Sequence, residues 1–336
     1  MRSDLIARSL PGSDVDGLRR ALLIAIACLP AVARAAAPAR IAWLAPGTAG
    51  KQGHYVEAFR LGMRENGLAE GRDYVLDVQY AEGHYERFPA MADAALKRDP
   101  AVVIAVAVPA VRILQKATRT VPIVFVSTTD PVGSGLVASL ARPGGNTTGI
   151  CNQAEESVTK YIDLLREALP PAKRVAVLLN TANSANVKSF ERVREFAQGL
   201  AIAAEPFGAA TPEELNAAFR AIAQYRPDAL LMIADSMLFE THERIVAFAL
   251  QERIATIAPT PEHGESGMLL AYGASRPEMY RRAAAYVRRI LAGAKPADLP
   301  VEQPTRFDLV INQRTAKTLG VRIPNTVLLR ADRVID

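Results

Sequence analysis

Short apolar runs alternate along this chain with stripes of apolar residues at helical spacing. Residues 40–45 read Arg-Ile-Ala-Trp-Leu-Ala and end at Pro46-Gly47, the pattern of a buried strand closed by a turn. Val56, Phe59 and Met63 then recur at i, i+3 and i+7, which predicts one face of a helix stopped at Gly67. Strands follow over residues 74–80, 101–108 and 121–127. A helical stripe through Phe88, Met91, Ala95 and Leu96 and a helix opened by Pro109 lie between them.

The pattern then repeats. Helical faces run through residues 161–169, through Val187, Phe190, Val193 and Phe196, through Leu215, Phe219 and Ile222, and over 245–250. Strands are predicted at 174–179, 202–207, 229–234, 255–258 and 268–272. Two successive sets of strand-helix units predict an α/β fold of two Rossmann-like lobes, each a parallel sheet flanked by helices. The breaker cluster Ala141-Arg142-Pro143-Gly144-Gly145-Asn146 lies near the joint. A long helix through Tyr280, Ala283, Val287 and Leu291 follows, then a Pro-rich crossing over 295–304 and a strand over 307–311. This tail is expected to return to the first lobe, so that several crossings form a hinge. The expected organisation is lobe 1 from 38–149 and 273–336, and lobe 2 from 150–272.

Residues 1–37 form a separate segment. Arg19-Arg20 precede a nearly unbroken apolar run over 21–33 that leads into Ala33-Arg34-Ala35-Ala36-Ala37. Positive charge, a short apolar core and Ala-x-Ala predict a secretory signal cleaved near Ala35 to Ala37. The run is shorter than the ~20 residues of a transmembrane helix. Arg19-Arg20 leaves Sec and twin-arginine export both open, and Cys28 offers a lipoprotein alternative. The expected location is the periplasm.

Composition narrows the function. Half of the residues are hydrophobic and 22% are charged, a globular balance. Of the net charge of +5, residues 1–37 supply +2, from five Arg against three acids. The remaining positive charge is scattered among acids, unlike a nucleic-acid footprint. Two cysteines, Cys28 and Cys151, make no disulfide framework. The turn Gly47-Thr48-Ala49-Gly50-Lys51-Gln52-Gly53 lacks the first Gly and the final Ser or Thr of a phosphate loop. It still presents backbone N–H groups at a helix start, which suits an anion. No Gly-x-Ser-x-Gly elbow is present, and the four His are not paired at i+3 or i+4. No catalysis, cofactor or metal is expected.

Polar residues instead gather at predicted C-terminal strand ends: Thr48, Ser127 to Asp130, Asn180 and Asp235-Ser236. Ligands of open α/β sheets bind outside those ends. Helix N-termini suit a carboxylate, and Asp130 or Asp235 an amine. Tyr55, His84-Tyr85, Phe239 and Tyr272 offer rings for stacking or, equally, for the core or rim. The candidate ligand set is Thr48, Thr129, Asp130, Asn180, Asp235, Ser236, Glu262 and Tyr272.

Several stretches carry a family resemblance. They are Asp130-Pro131-Val132-Gly133, Leu140-Ala141-Arg142-Pro143-Gly144-Gly145-Asn146, Tyr280-Arg281-Arg282-Ala283-Ala284, residues 295–304, residues 312–320 and Leu329-Arg330-Ala331-Asp332. Together they resemble the ABC-transporter substrate-binding family that includes tryptophan- and phenylalanine-binding proteins. The resemblance implies a type I periplasmic-binding architecture and a small-molecule ligand at the hinge cleft. It also implies a membrane permease and ATPase as partners, and no catalysis. One departure is Ala107-Val108-Pro109, where family members often carry small polar residues after the third strand. A monomer is expected, and the alternative role is a periplasmic ligand-sensing module for a membrane sensor.

Overall fold

The computed structural model describes residues 37–152 and 154–336, with only the backbone of 154–156. The expected export segment, with both its cleavage positions, Cys28 and Arg19-Arg20, lies outside the described residues apart from Ala37. No helix among the described residues is long and apolar enough to cross a membrane.

The first lobe is built from β1 (Ala39–Ala45), α1 (Ala49–Glu65), β2 (Tyr74–Tyr80), α2 (Phe88–Leu96), β3 (Val102–Val106), α3 (Val108–Ala117), β4 (Ile123–Thr128) and β5 (Thr147–Cys151). Its strands pair in parallel in the order β2-β1-β3-β4-β5. The central strand β3, Val-Val-Ile-Ala-Val, is buried at every position, as helices on both faces require.

The second lobe follows with α4 (Ala154–Ala168), β6 (Arg174–Asn180), α5 (Ser184–Gly199), β7 (Ala203–Ala209), α6 (Leu215–Tyr225), β8 (Ala229–Met232), α7 (Ser236–Glu240), α8 (His242–Gln251), β9 (Ala255–Ala258), α9 (Glu262–Glu265) and β10 (Leu270–Gly273). The chain then crosses into α10 (Arg276–Leu291) and ends with β11 (Asp308–Asn312), α11 (Gln313–Leu319), α12 (Asn325–Leu328) and β12 (Arg333–Ile335). The second sheet has the order β12-β11-β10-β9-β8-β6-β7, parallel except where β11 meets β10.

The placement of the tail corrects one expectation. The helix α10 does pack on the first lobe, but β11 joins the second sheet, with Leu270 opposite Ile311 and Gly273 opposite Asp308. The reason lies at the edge of the first sheet. Residue 302 runs beside β5 there, with Glu302 N–H donating to Gly149 O at 2.9 Å and Cys151 N–H to Glu302 O at 3.0 Å. That takes up the β5 edge, while β10 has an edge free for the apolar strand β11.

α10 is held to the first lobe by aromatic packing. Trp43 of β1 stacks on Tyr280 at 5.4 Å between ring centres, meets Phe59 edge-on at 5.5 Å, and all three are buried. Gly62 lets α1 approach the α10 backbone, because a Cβ there would fall on Arg281 O. The chain thus passes between lobes three times: after β5, between β10 and α10, and between residue 302 and β11. The lobes are apposed, and one continuous buried apolar cluster includes Leu44 and Phe88 of the first lobe and Met237 and Leu238 of the second.

Candidate functional site

Both sheets present their C-terminal strand ends to the seam between the lobes. On the first-lobe side the backbone is strained. Ala107, after β3, has φ +75°, and Ser127 and Asp130 near the end of β4 have φ +55° and +41°. Residues with a Cβ adopt such angles at a cost of about 1 kcal/mol or more, and they concentrate at ligand sites. The helix α3 begins directly after Ala107 with Pro109 in its first turn and no side-chain cap. Its first N–H groups therefore face the seam.

The second-lobe side is a closed network. Asp235 caps α7, its Oδ1 accepting from Met237 N–H at 2.8 Å. The same carboxylate accepts from Asn180 Nδ2 at 3.0 Å and Asn183 Nδ2 at 2.9 Å. Asn186 supports this wall by accepting from Asn180 N–H at 3.0 Å and donating to Ala234 O at 3.0 Å. All four polar side chains are buried. The last partner crosses the seam: Tyr85 Oη, from the first lobe, donates to Asp235 at 3.1 and 3.2 Å. Burial first, then the adjacent carboxylate, pushes the Tyr85 hydroxyl well above the ordinary phenol range, so it stays a neutral donor.

Ala107, Val108, Ser127, Thr129 and Asn152 on one side, and Asn183, Ala234, Asp235, Ser236 and Phe239 on the other, line a small interlobe cavity of about 10 Å³. Asn152 Nδ2 donates to Ser127 O and Thr129 Oγ1, both at 3.1 Å, and so shapes the first-lobe wall. A cavity of this size holds about one water.

Next to the cavity, Arg276 opens α10 at the hinge crossing. It is 1% exposed, and its guanidinium lies between the rings of Tyr55 and Phe239, 4.4 Å from each. Nη1 donates to Tyr55 Oη at 2.8 Å, while Nε and Nη2 have no partner among the described residues. The Tyr280 hydroxyl faces it without reaching hydrogen-bond geometry. Burial opposes the charge, yet the surrounding Tyr55, Tyr280, Glu262 and Glu240 hold Arg276 above the ordinary guanidinium range.

Of the residues expected to bind ligand, Thr129, Asp235 and Ser236 line the cavity, and Asn180 holds Asp235 from behind. Thr48 lies on the same seam but contacts Glu240, at 3.4 Å. Glu262 accepts from Arg276 N–H at 3.1 Å, at the hinge. Two expected residues lie elsewhere. Asp130 folds back to accept from Gly133 N–H at 2.7 Å, making its own turn. Tyr272 packs between Tyr161 and Phe307 on the second lobe, since its position on β10 turns the ring away from the cavity. Asn183, Asn152, Glu240 and Arg276 were not expected. Asn183 carried a signal, as an N-cap residue just past a strand end, and its Oδ1 accepts from Ala185 N–H. Arg276 carried none, because its hydroxyl partner, Tyr55, is 221 residues away.

Comparison with known proteins agrees with this architecture. Residues 52–335 match the family model described as ABC transporter substrate binding protein. A tyrosine-binding protein of Clostridioides difficile (strain R20291) is 24% identical over 266 residues, 79% of this chain and 76% of that protein. A Streptococcus pneumonia ABC domain solved in complex with L-Trp is 24% identical, with a TM-score of 0.79 over 88% of this chain and 100% of that one. The ligand-free, open structure of a Clostridium difficile substrate-binding protein with adhesive properties is 22% identical, with a TM-score of 0.62 over 88% and 99%. The neighbours share the type I periplasmic-binding fold. With two parallel sheets facing each other across a polar seam and a family match over most of its length, the chain belongs to the ABC transporter substrate-binding protein family.

Proposed function

We propose that this protein is the exported capture component of an ABC importer, which binds an amino acid with an aromatic side chain between its lobes and delivers it to a membrane permease. The observation that carries the reading is the buried Asp235 carboxylate, bonded by three donors of its own lobe and reached across the seam by a fourth, Tyr85. When the lobes part, Tyr85 leaves and one acceptor direction of Asp235 opens toward the cleft. A ligand donor that takes this place fills the one acceptor direction that Tyr85 vacates.

Phe239 and Tyr85 supply aromatic surface at the same point, and Arg276 adds positive potential at the seam that suits a ligand carrying a carboxylate. The closer fit to a liganded relative than to an open, ligand-free one matches a molecule whose lobes have come together. The tyrosine- and tryptophan-binding relatives support an aromatic amino acid as the ligand class.

A thermal-shift panel of the twenty amino acids, aromatic acids and purines tests this. A ligand that binds only the folded state raises Tm with its concentration. The reading predicts a shift from aromatic amino acids, with the compound recovered unchanged. A panel in which none of them moves Tm contradicts it.

A further inference from the structure

The turn Gly47-Thr48-Ala49-Gly50 opens the 17-residue helix α1 without any side-chain cap from Thr48. A carboxylate of the opposite lobe lies over this turn. Glu240, the last residue of α7, is 9% exposed and places Oε2 3.4 Å from both Thr48 N and Thr48 Oγ1. Lys51 Nζ donates to Glu240 O at 2.6 Å and to Glu243 Oε2 at 2.9 Å.

The corner has donors that Glu240 leaves unused. Gln52 is 2% exposed, and its Nε2 has no partner among the described residues. It lies with Glu240 Oε1 and Cδ around the spot a Cβ on Gly47 would fill, so it is aimed into the corner, and only a glycine at 47 lets both side chains pack there. The buried Arg276 has two further nitrogens without partners among the described residues, and Glu240 is among the groups that favour its charge. The Glu240 carboxylate thus faces a helix N-terminus at a long 3.4 Å and shares the corner with a buried, unpartnered carboxamide, while the lysine holds only its backbone oxygen.

The geometry points to this corner as the carboxylate subsite of the ligand site, with Glu240 as an internal occupant that a ligand carboxylate displaces. The inference rests on the ligand class proposed above and narrows it. From Asp235 to Glu240 the helix α7 rises about 7.5 Å. That span is comparable with the length of an aromatic amino acid carrying a donor at the far end of its ring. The partner that reaches Asp235 from across the seam is itself a phenol, that of Tyr85. A ring hydroxyl or ring N–H at Asp235 and a carboxylate at the α1 turn use both ends of the seam. A site built to accept from a ring donor rejects the analogue that lacks one by a large factor.

The test reads the corner directly. With 15N-glycine and 15N-threonine labels, the Gly47, Gly50 and Thr48 amide signals are followed during titration with acetate, against chloride at equal ionic strength. The variants Glu240→Gln and Glu240→Ala are compared with wild type. The inference predicts saturable acetate shifts at these amides in both variants, with binding at least 10-fold weaker in wild type, and loss of the shifts when Gln52→Leu is added. In parallel, Glu240→Gln should tighten L-tyrosine at least 3-fold and leave tyramine, which has no carboxylate, unchanged. Amides that stay in place in all variants, or tyrosine and tyramine weakened alike by Glu240→Gln, would make the corner a latch between the lobes and overturn the inference. Failure of every aromatic amino acid to bind wild type removes the function proposed above, while the acetate titration still reports on the subsite.

Discussion

The two walls of the seam are built on opposite plans. The second-lobe wall is finished: Asn180, Asn183, Asn186 and Asp235 bond one another and the ends of their own helices, with each donor matched to an acceptor. The first-lobe side is unfinished. Arg276 Nε and Nη2, Gln52 Nε2 and Thr128 Oγ1 are buried without partners among the described residues, and the backbone is strained at Ala107 and Ser127. A finished wall contributes to stability, and an unfinished one holds interactions in reserve for a ligand. The difference teaches where damage should appear: as lost folding free energy in the second lobe, and as lost affinity in the first.

The sharpest way to break that contrast is Asp235→Ala. It strands the Asn180 and Asn183 amides and the Met237 N–H in a buried site, at about 1–3 kcal/mol for each group that water does not reach. A loss of about 4 kcal/mol in unfolding free energy is expected by urea denaturation, with ligand binding lost as well. A stability within 1 kcal/mol of wild type would show that the network is not the support it is taken to be.

Arg276→Met is the counterpart in the first-lobe wall. Its guanidinium is desolvated and only partly paired, so an apolar side chain of similar volume removes a desolvation penalty while giving up one hydrogen bond and two ring contacts, effects that offset each other. Stability should stay within about 1 kcal/mol of wild type, while affinity for the aromatic amino acid falls about tenfold, as measured by calorimetry. A large loss of stability with affinity retained would reverse the roles assigned to the two sides.

A third measurement uses pH. His263 is buried beside Phe239 and His242 and bonds Thr260 Oγ1 at 2.9 Å. Burial first, then His242 and Arg276, holds its pKa well below 6.5. The unfolded chain therefore binds a proton near pH 6.5 that the fold refuses. Stability is full above that pH and declines as pH falls below it. Urea midpoints at pH 7.5 and 5.5 should show the decline, and His263→Gln should flatten it. The smallest effect is expected from Ala107→Gly, which relieves the positive φ and should stabilise the protein by about 1 kcal/mol by thermal denaturation.

What the sequence revealed of the fold follows from local physics. β3 is apolar at every position because both its faces are covered, and β2 keeps its predicted bounds, so the alternation of strands and helices was legible. β5, Thr-Thr-Gly-Ile-Cys, was not: five residues with two threonines and a glycine have no periodic signal, and the strand exists because β4 pairs along one edge of it and residue 302 bridges the other. β11 looked like any short apolar strand, and only the choice between two sheet edges decided its lobe. At the site, Asp235, Ser236 and Thr129 were readable because strand ends converge in such sheets. Asp130 and Tyr272 have the right chemistry near strand ends, but a local turn and a face of β10 direct them elsewhere. Glu240 and Arg276 act across 192 and about 220 residues of chain, a relation that no local pattern encodes.

The central claim is that one ligand bridges both walls, and hydrogen exchange read by mass spectrometry with and without L-tyrosine or L-tryptophan tests it most directly. Protection is predicted to rise together in residues 47–52 and 107–111 of the first lobe and in 180–186 and 235–240 of the second. Protection confined to one lobe, or exchange unchanged at saturating ligand, would contradict a site between the lobes.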